Sequence, residues 1–194
     1  MGLATMILGL AIFIGAHVFI TMRGERAAAI TRLGEWPYKG LIALISLVGI
    51  ILIGYGFGWY RAAGMINVWS PPAFTRHVTV ALVWPAITFV VAAYSRGDIA
   101  RVLKHPMLVG VKLWALAHLI SNGDLGSIIL FGSILGWAVF DRITLKRRSD
   151  PGAPPIPYGG RTNDIIAVVV GTLVYLALGF WFHPYVIGVP AFGR

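Results

Sequence analysis

The residues of this chain best equipped for chemistry are its five histidines, His17, His77, His105, His118 and His183. Cysteine is absent. Disulfides, iron–sulfur clusters, thiol nucleophiles and covalent haem attachment through Cys-x-x-Cys-His are thereby excluded, and a metal would have to be held by histidine. His17 and His118 stand apart from the others because each is flanked on both sides by apolar residues, in Ile14-Gly15-Ala16-His17-Val18-Phe19 and Leu116-Ala117-His118-Leu119-Ile120. A polar group left unpaired in hydrocarbon costs roughly 2–7 kcal/mol, so an ionisable residue in such a segment marks a functional site by default. The small neighbours leave room beside each ring for something planar and bulky. The plain alternative is a buried histidine satisfied by its surroundings.

The other three histidines carry weaker signals. His105 and His183 each precede a proline, Pro106 and Pro184, and proline restricts the residue before it, which predicts helix boundaries there. His77 follows Pro71-Pro72 and Arg76 at the start of an apolar segment and reads as an interfacial residue. His105 and His118 lie on one apolar segment. Thirteen residues of helix separate them by about 20 Å of rise and about 220° of rotation, so the two cannot share one metal. A two-histidine site must draw its ligands from different helices. Lys112 is the cation placed well inside a segment. It either snorkels to an interface or pairs with a buried carboxylate such as a haem propionate. Acidic residues are missing from the apolar segments, which argues against a proton relay or an ion pump.

The elements that must position these side chains are membrane-spanning. Of the 194 residues 58% are hydrophobic and 12% charged, against about 25% charged in a soluble domain. The expected fold is an all-α integral membrane protein, a bundle of about six transmembrane helices forming a single domain over residues 1–194. The apolar segments are Leu3–Met22, Gly40–Tyr60, His77–Tyr94, Pro106–Ser121, Leu125–Phe140 and Ile165–Pro184. The fourth and fifth are short and are separated by the turn signal Asn122-Gly123-Asp124, which predicts a tight helical hairpin. No positive region precedes the first segment, so it is expected to be retained rather than cleaved as a signal.

The net charge of +9 does not require nucleic acid. With the N-terminus outside, the inner connections collect Arg23, Arg26, Arg32 and Lys39, then Arg96, Arg101 and Lys104, then Arg142, Lys146, Arg147, Arg148 and Arg161. The outer side holds Arg61, Arg76 and Arg194. That asymmetry follows the positive-inside rule and predicts a multi-pass protein of a bacterial inner membrane with both termini periplasmic. Gly24–Tyr38 has the pattern of a short amphipathic helix on the inner surface, and the Pro- and Gly-rich Ser149–Asn163 reads as a cytosolic loop. Asn163 or Asp164 is expected to cap the last helix. Glycines at small-xxx-small spacing, Gly132 with Gly136 and Gly54 with Gly58, predict close helix packing. Gly54-Tyr55-Gly56-Phe57-Gly58 lacks the strand–turn–helix setting of a nucleotide loop. No internal repeat is visible, which argues against a transporter built from duplicated halves.

Several of these residues together carry a resemblance. Lys104-His105-Pro106, Gly110, Trp114-Ala115-Leu116-Ala117-His118-Leu119, Asn122-Gly123-Asp124 and Leu130-Phe131-Gly132 occur in order, with His17, Gly34-Glu35, Tyr38-Lys39 and His183-Pro184 around them. In these the chain resembles the NnrU family of bacterial membrane proteins, related to plant and cyanobacterial 15-cis-ζ-carotene isomerase. The isomerase relatives carry a haem b held by two histidines and convert a cis double bond of a linear carotene to trans. The resemblance implies a haem b with His17 and His118 as its iron ligands, and the absence of cysteine fits a non-covalent haem; His105 and Lys112 are further candidate cofactor-binding residues from the reading of the segments. Where the isomerases favour Arg-His-Pro-Gln, this chain has Lys104-His105-Pro106-Met107. The NnrU branch is linked to nitrite and nitric oxide reduction, so carotene isomerisation does not transfer directly.

Depth along the spans points to other pairings. His17 lies near the inner end of its segment and His118 near the outer end of the fourth, a difference of about 10 Å. On that measure His17 matches His105, and His118 matches His183. The leading expectation is a haem-dependent isomerase of a lipophilic polyene, with Trp114, Trp84 and Trp137 as candidate lining of the substrate slot. The alternative is a non-enzymatic haem sensor of nitric oxide, or an accessory factor to respiratory or denitrification membrane proteins. A third is a structural or transport bundle without haem.

Overall fold

The computed structural model describes residues 1–148 and 157–192, and its regular structure is helical throughout. The helices are α1 (Gly2–Thr21), α2 (Arg23–Leu33), α3 (Glu35–Ala62), α4 (Thr75–Ser95), α5 (Asp98–Leu103), α6 (Pro106–Ser121), α7 (Leu125–Lys146) and α8 (Thr162–Ala177). α8 runs on without a break into a π-helical segment, Leu178–Ile187. Five helices (α1, α3, α4, α7, and α8 with its π-helical extension) are long and apolar enough to cross a membrane. At most 22% of the residues in each apolar window are buried, so most of that surface faces outward, where a bilayer would cover it. The remaining apolar segment is α6, whose 16 residues fall short of the ~20 that a full crossing needs. α7 runs to Lys146, beyond the Phe140 end expected from hydropathy, and reaches spanning length. Most of the proline-rich loop, residues 149–156, lies outside the described residues.

The chain divides into two compact units. One division falls at Asn122-Gly123, so α6 and α7 are assigned to different units. The first unit holds Met1–Ser70 and Gly123–Arg147. In it α1 and α3 lie against each other at glycines seven residues apart on each helix, Gly2 and Gly9 facing Gly56 and Gly49. A Cβ at Gly9 would stand 2.7 Å from the Gly49 carbonyl oxygen, and one at Gly49 would stand 2.9 Å from the Phe13 backbone nitrogen. Lipid offers no hydrophobic drive for helix association, so van der Waals contact at such close approaches must supply it. The start of α7 is stitched to the connection after α3. Val68 N–H and Trp69 N–H donate to the Gly123 carbonyl, and Leu125 N–H donates to that of Ile66. The Tyr60 hydroxyl accepts from Ile66 N–H at 2.8 Å. Asp124 caps α7 by accepting from Ser127 N–H at 2.9 Å.

The second unit holds Pro71–Asn122 and the described part of Arg148–Arg194. α4 is its centre, with α6 and α8 packed against it. Gly110 of α6 meets the Ala86 carbonyl and Val90, and Gly171 of α8 meets Thr88. Polar ties fix the register: Thr79 Oγ1 donates to the Ala117 carbonyl at 2.7 Å, Tyr175 OH to that of Val80 at 3.0 Å, and Trp84 Nε1 to Thr172 Oγ1 at 3.0 Å. At the other end of the unit, α8 begins at Thr162, so Asn163 and Asp164 lie inside it and do not cap it as expected. The Asn163 amide reaches Ser95 O. Asp164 accepts from the backbone N–H of Asp98 and Ile99 at 2.9 and 3.0 Å and so caps α5. Short helices leave several N–H groups unpaired at their start, and a carboxylate from another helix is as good an acceptor as one from their own.

Among the described residues, the expected small-xxx-small glycines make no close approach. A Cβ at Gly54, Gly58, Gly132 or Gly136 would meet no described atom within 4 Å. Spacing alone puts two glycines on one helix face, but which face meets a neighbour depends on the rest of the bundle.

Candidate functional site

His118 sits on α6, three residues from its end. Its Nδ1 lies 2.8 Å from the Trp114 carbonyl oxygen one turn earlier. A carbonyl can only accept, so Nδ1 carries the proton and the neutral imidazole has its lone pair on Nε2. This is how a protein orients a metal-ligating histidine. The Trp114 ring packs beside it, with centroids 5.0 Å apart.

His118 faces a cavity of about 340 Å³ within the second unit, walled by α4, α6, α8 and the π-helical segment. Val83, Val90, Trp114 and Leu178 are among its apolar lining. Its polar side chains are Thr79, Tyr175, His118 and His183. Phe192 closes part of it, its ring edge-on to Tyr175 at 5.1 Å and lying over Gly179, where a Cβ would collide with it. The size falls in the range of small-molecule pockets, about 300–1,000 Å³, and the mostly apolar wall with a few convergent polar groups is the usual form of such a site.

His183 stands in the same cavity with its ring centre 6.3 Å from that of His118 and the two planes 28° apart. The sequence reading placed a helix boundary at both His-Pro steps, and the structure separates the two. His105 is the N-cap of α6 with Pro106 at the first helical position, as expected. Pro184 instead lies inside the π-helical segment. Proline lacks an N–H and clashes with the carbonyl four residues back, and the wider π winding, with bonds from i to i+5, takes the chain past it. Gly188 at φ +74° ends the segment, its N–H bonded to the His183 carbonyl.

The other expected site residues lie elsewhere. His17 belongs to the first unit, with Nδ1 2.7 Å from the Phe13 carbonyl, the Phe13 ring at 4.2 Å and the Trp137 ring edge-on at 5.1 Å. The indole Nε1 of Trp137 is buried without a hydrogen-bond partner among the described residues. His105 caps the far end of α6, about 20 Å of helix from His118. Lys112 is half-buried on α6 but does not line the cavity. His77 is exposed in the first turn of α4. Of the three tryptophans expected around a substrate, Trp114 lines this cavity, Trp84 is 40% exposed, and Trp137 packs on His17. Thr79, Tyr175 and Phe192 carry no signal in the sequence that marks them as lining. Depth along the spans offered His183 with His118 as an alternative to the retained pair, His17 with His118.

Residues 5–191 match the family described as NnrU protein. The chain belongs to the NnrU family. No curated protein and no solved structure matches it. In this NnrU chain no group of three or more His, Asp or Glu side chains able to hold a metal occurs among the described residues.

Proposed function

We propose that this NnrU protein binds haem b within a bacterial inner membrane, and that His118 would hold its iron. The observation that carries the proposal is the placing of His118 in an apolar cavity with its proton committed to the Trp114 carbonyl. The residues present fit such a group. A neutral imidazole with its lone pair on Nε2 is the donor form that iron takes, the apolar wall suits a macrocycle, and the lack of cysteine agrees with non-covalent binding. The family resemblance supplies haem b as the cofactor and offers His17 as one candidate second ligand, while His105 and Lys112 lie outside the cavity that holds His118. When bound, the haem would supply redox and coordination chemistry at its iron, while the protein supplies orientation and a dry setting. Here the Trp114 carbonyl fixes the His118 ring, and Val83, Val90 and Leu178 exclude water.

The same apolar cavity supports a lipophilic substrate, a polyene whose cis double bond is turned to trans, because no charged side chain lines it. The cation asymmetry supports a reading with both termini on the periplasmic side. Absorption spectra of detergent-purified protein, oxidised and dithionite-reduced, test the proposal. A Soret band with reduced α and β bands, lost or shifted in His118→Ala, is expected. No haem band after expression with ample haem refutes it. Given haem, conversion of a cis-polyene by wild type but not by His118→Ala identifies an isomerase. A spectrum shifted by nitric oxide with no turnover identifies a sensor, or an accessory factor in nitrite and nitric oxide reduction.

A further inference from the structure

We infer that the second axial ligand is His183, facing His118 across the cavity of the second unit; the inference rests on the haem reading and concerns which imidazoles complete it. Two imidazoles on opposite sides of one ion, with metal–nitrogen bonds of about 2.0–2.1 Å and about 1.2 Å from nitrogen to ring centre, hold their centres roughly 6–6.5 Å apart. The His118 and His183 ring centres are 6.3 Å apart, and their planes are only 28° from parallel. Both side chains line one cavity, so neither helix has to move to bring them together.

A second observation is independent of that distance. His183 is carried by a π-helical segment of ten residues, a conformation that accounts for well under 1% of residues and is frequent at functional sites. One extra residue per turn rotates the side chains beyond it by roughly 100° relative to an α-helix. The unusual winding therefore decides which way His183 faces. Depth agrees as well. Thr79 Oγ1 bonds the Ala117 carbonyl beside His118, and Arg76, three residues earlier on α4, bonds the Pro190 carbonyl seven residues after His183. The outer end of α4 is thus tied to the stretches that carry both histidines. The helix hydrogen bond that fixes the His118 tautomer leaves ligation to Nε2, the nitrogen farther from its own backbone.

The test is the spin state of the iron in the full-length protein expressed with haem, read by absorption and electron paramagnetic resonance in wild type, His183→Ala and His17→Ala. Wild type is expected to be six-coordinate and low-spin. His183→Ala should become high-spin and return to low-spin on adding imidazole, while His17→Ala should keep the wild-type spectrum. Should His183→Ala not accumulate, His183→Met preserves bulk and asks the same question, a changed ligand-field spectrum being expected. A low-spin spectrum unchanged in the His183 variants, with conversion to high-spin in His17→Ala, overturns the inference and leaves the haem reading standing. A colourless wild-type protein overturns both.

Discussion

Replacing Gly110 and Gly132 by alanine, one at a time, separates the packing seen in the structure from the packing that glycine spacing suggests. A Cβ at Gly110 would come 2.5 Å from the Ala86 carbonyl oxygen, 2.9 Å from Val90 Cγ2 and 3.2 Å from the Val90 nitrogen. Two of those three atoms are backbone, so a rotamer change cannot relieve the clash, and α6 must back away from α4. Overpacking of this kind costs about 1–3 kcal/mol. The better helix propensity of alanine returns about 0.8–1.0 kcal/mol, leaving a net loss of roughly 0–2 kcal/mol. At about 2–4 °C per kcal/mol for a chain of this size, the expected fall in Tm is up to about 8 °C. Gly132→Ala meets nothing within 4 Å and gains the propensity term alone, so its Tm should be unchanged or raised. Thermal unfolding in one detergent, followed by helical circular dichroism, reads both. Because Gly110 also lines the His118 cavity, its alanine variant should bind haem more weakly, and Gly132→Ala should not. A Gly132→Ala protein destabilised more than Gly110→Ala would refute the helix contacts described here.

Other consequences can be checked separately. Asp164→Ala removes the acceptor for the Asp98 and Ile99 N–H groups; loss of a cap costs about 0.5–2 kcal/mol, so α5 should open about 2- to 30-fold more often. Limited trypsin cleavage at Arg101 and Lys104 should rise accordingly. Faster cleavage at Arg161 with α5 unaffected would mean that Asp164 caps its own helix after all. Tyr60→Phe leaves the Ile66 N–H without its 2.8 Å partner beside a ring that is 5% exposed, an expected loss of about 1–3 kcal/mol. A Tm equal to wild type would show that the bond contributes nothing. Pro184→Ala restores an N–H and should let the π-helical segment relax toward α-helix, turning His183 away. Loss of the low-spin spectrum of haem-loaded protein is the expected readout, and an unchanged spectrum would show that the proline does not set the winding.

The family, the all-helical membrane character and the histidine inventory were all legible in the order of residues. Hydropathy acts over a whole segment and needs no knowledge of neighbours. The same locality explains the correct placing of the α6 start at His105-Pro106, since proline constrains the residue directly before it. It also explains the misreadings. Asp164 sits where a cap for α8 would be sought, yet its carboxylate serves α5, 65 and 66 residues away in sequence. Gly132 and Gly136 have the spacing of a packing face, but the close approaches form at Gly9 with Gly49 and at Gly110 with Ala86, which do not share that signature. The His183-Pro184 step has the same local sequence as His105-Pro106 and a different outcome, because it falls within a helix whose continuation winds past the proline. Which faces meet, which acceptor reaches an unpaired N–H, and which two imidazoles share a cavity all depend on residues distant in sequence. Tertiary packing decided those, and with them the arrangement of His118 and His183 in one cavity.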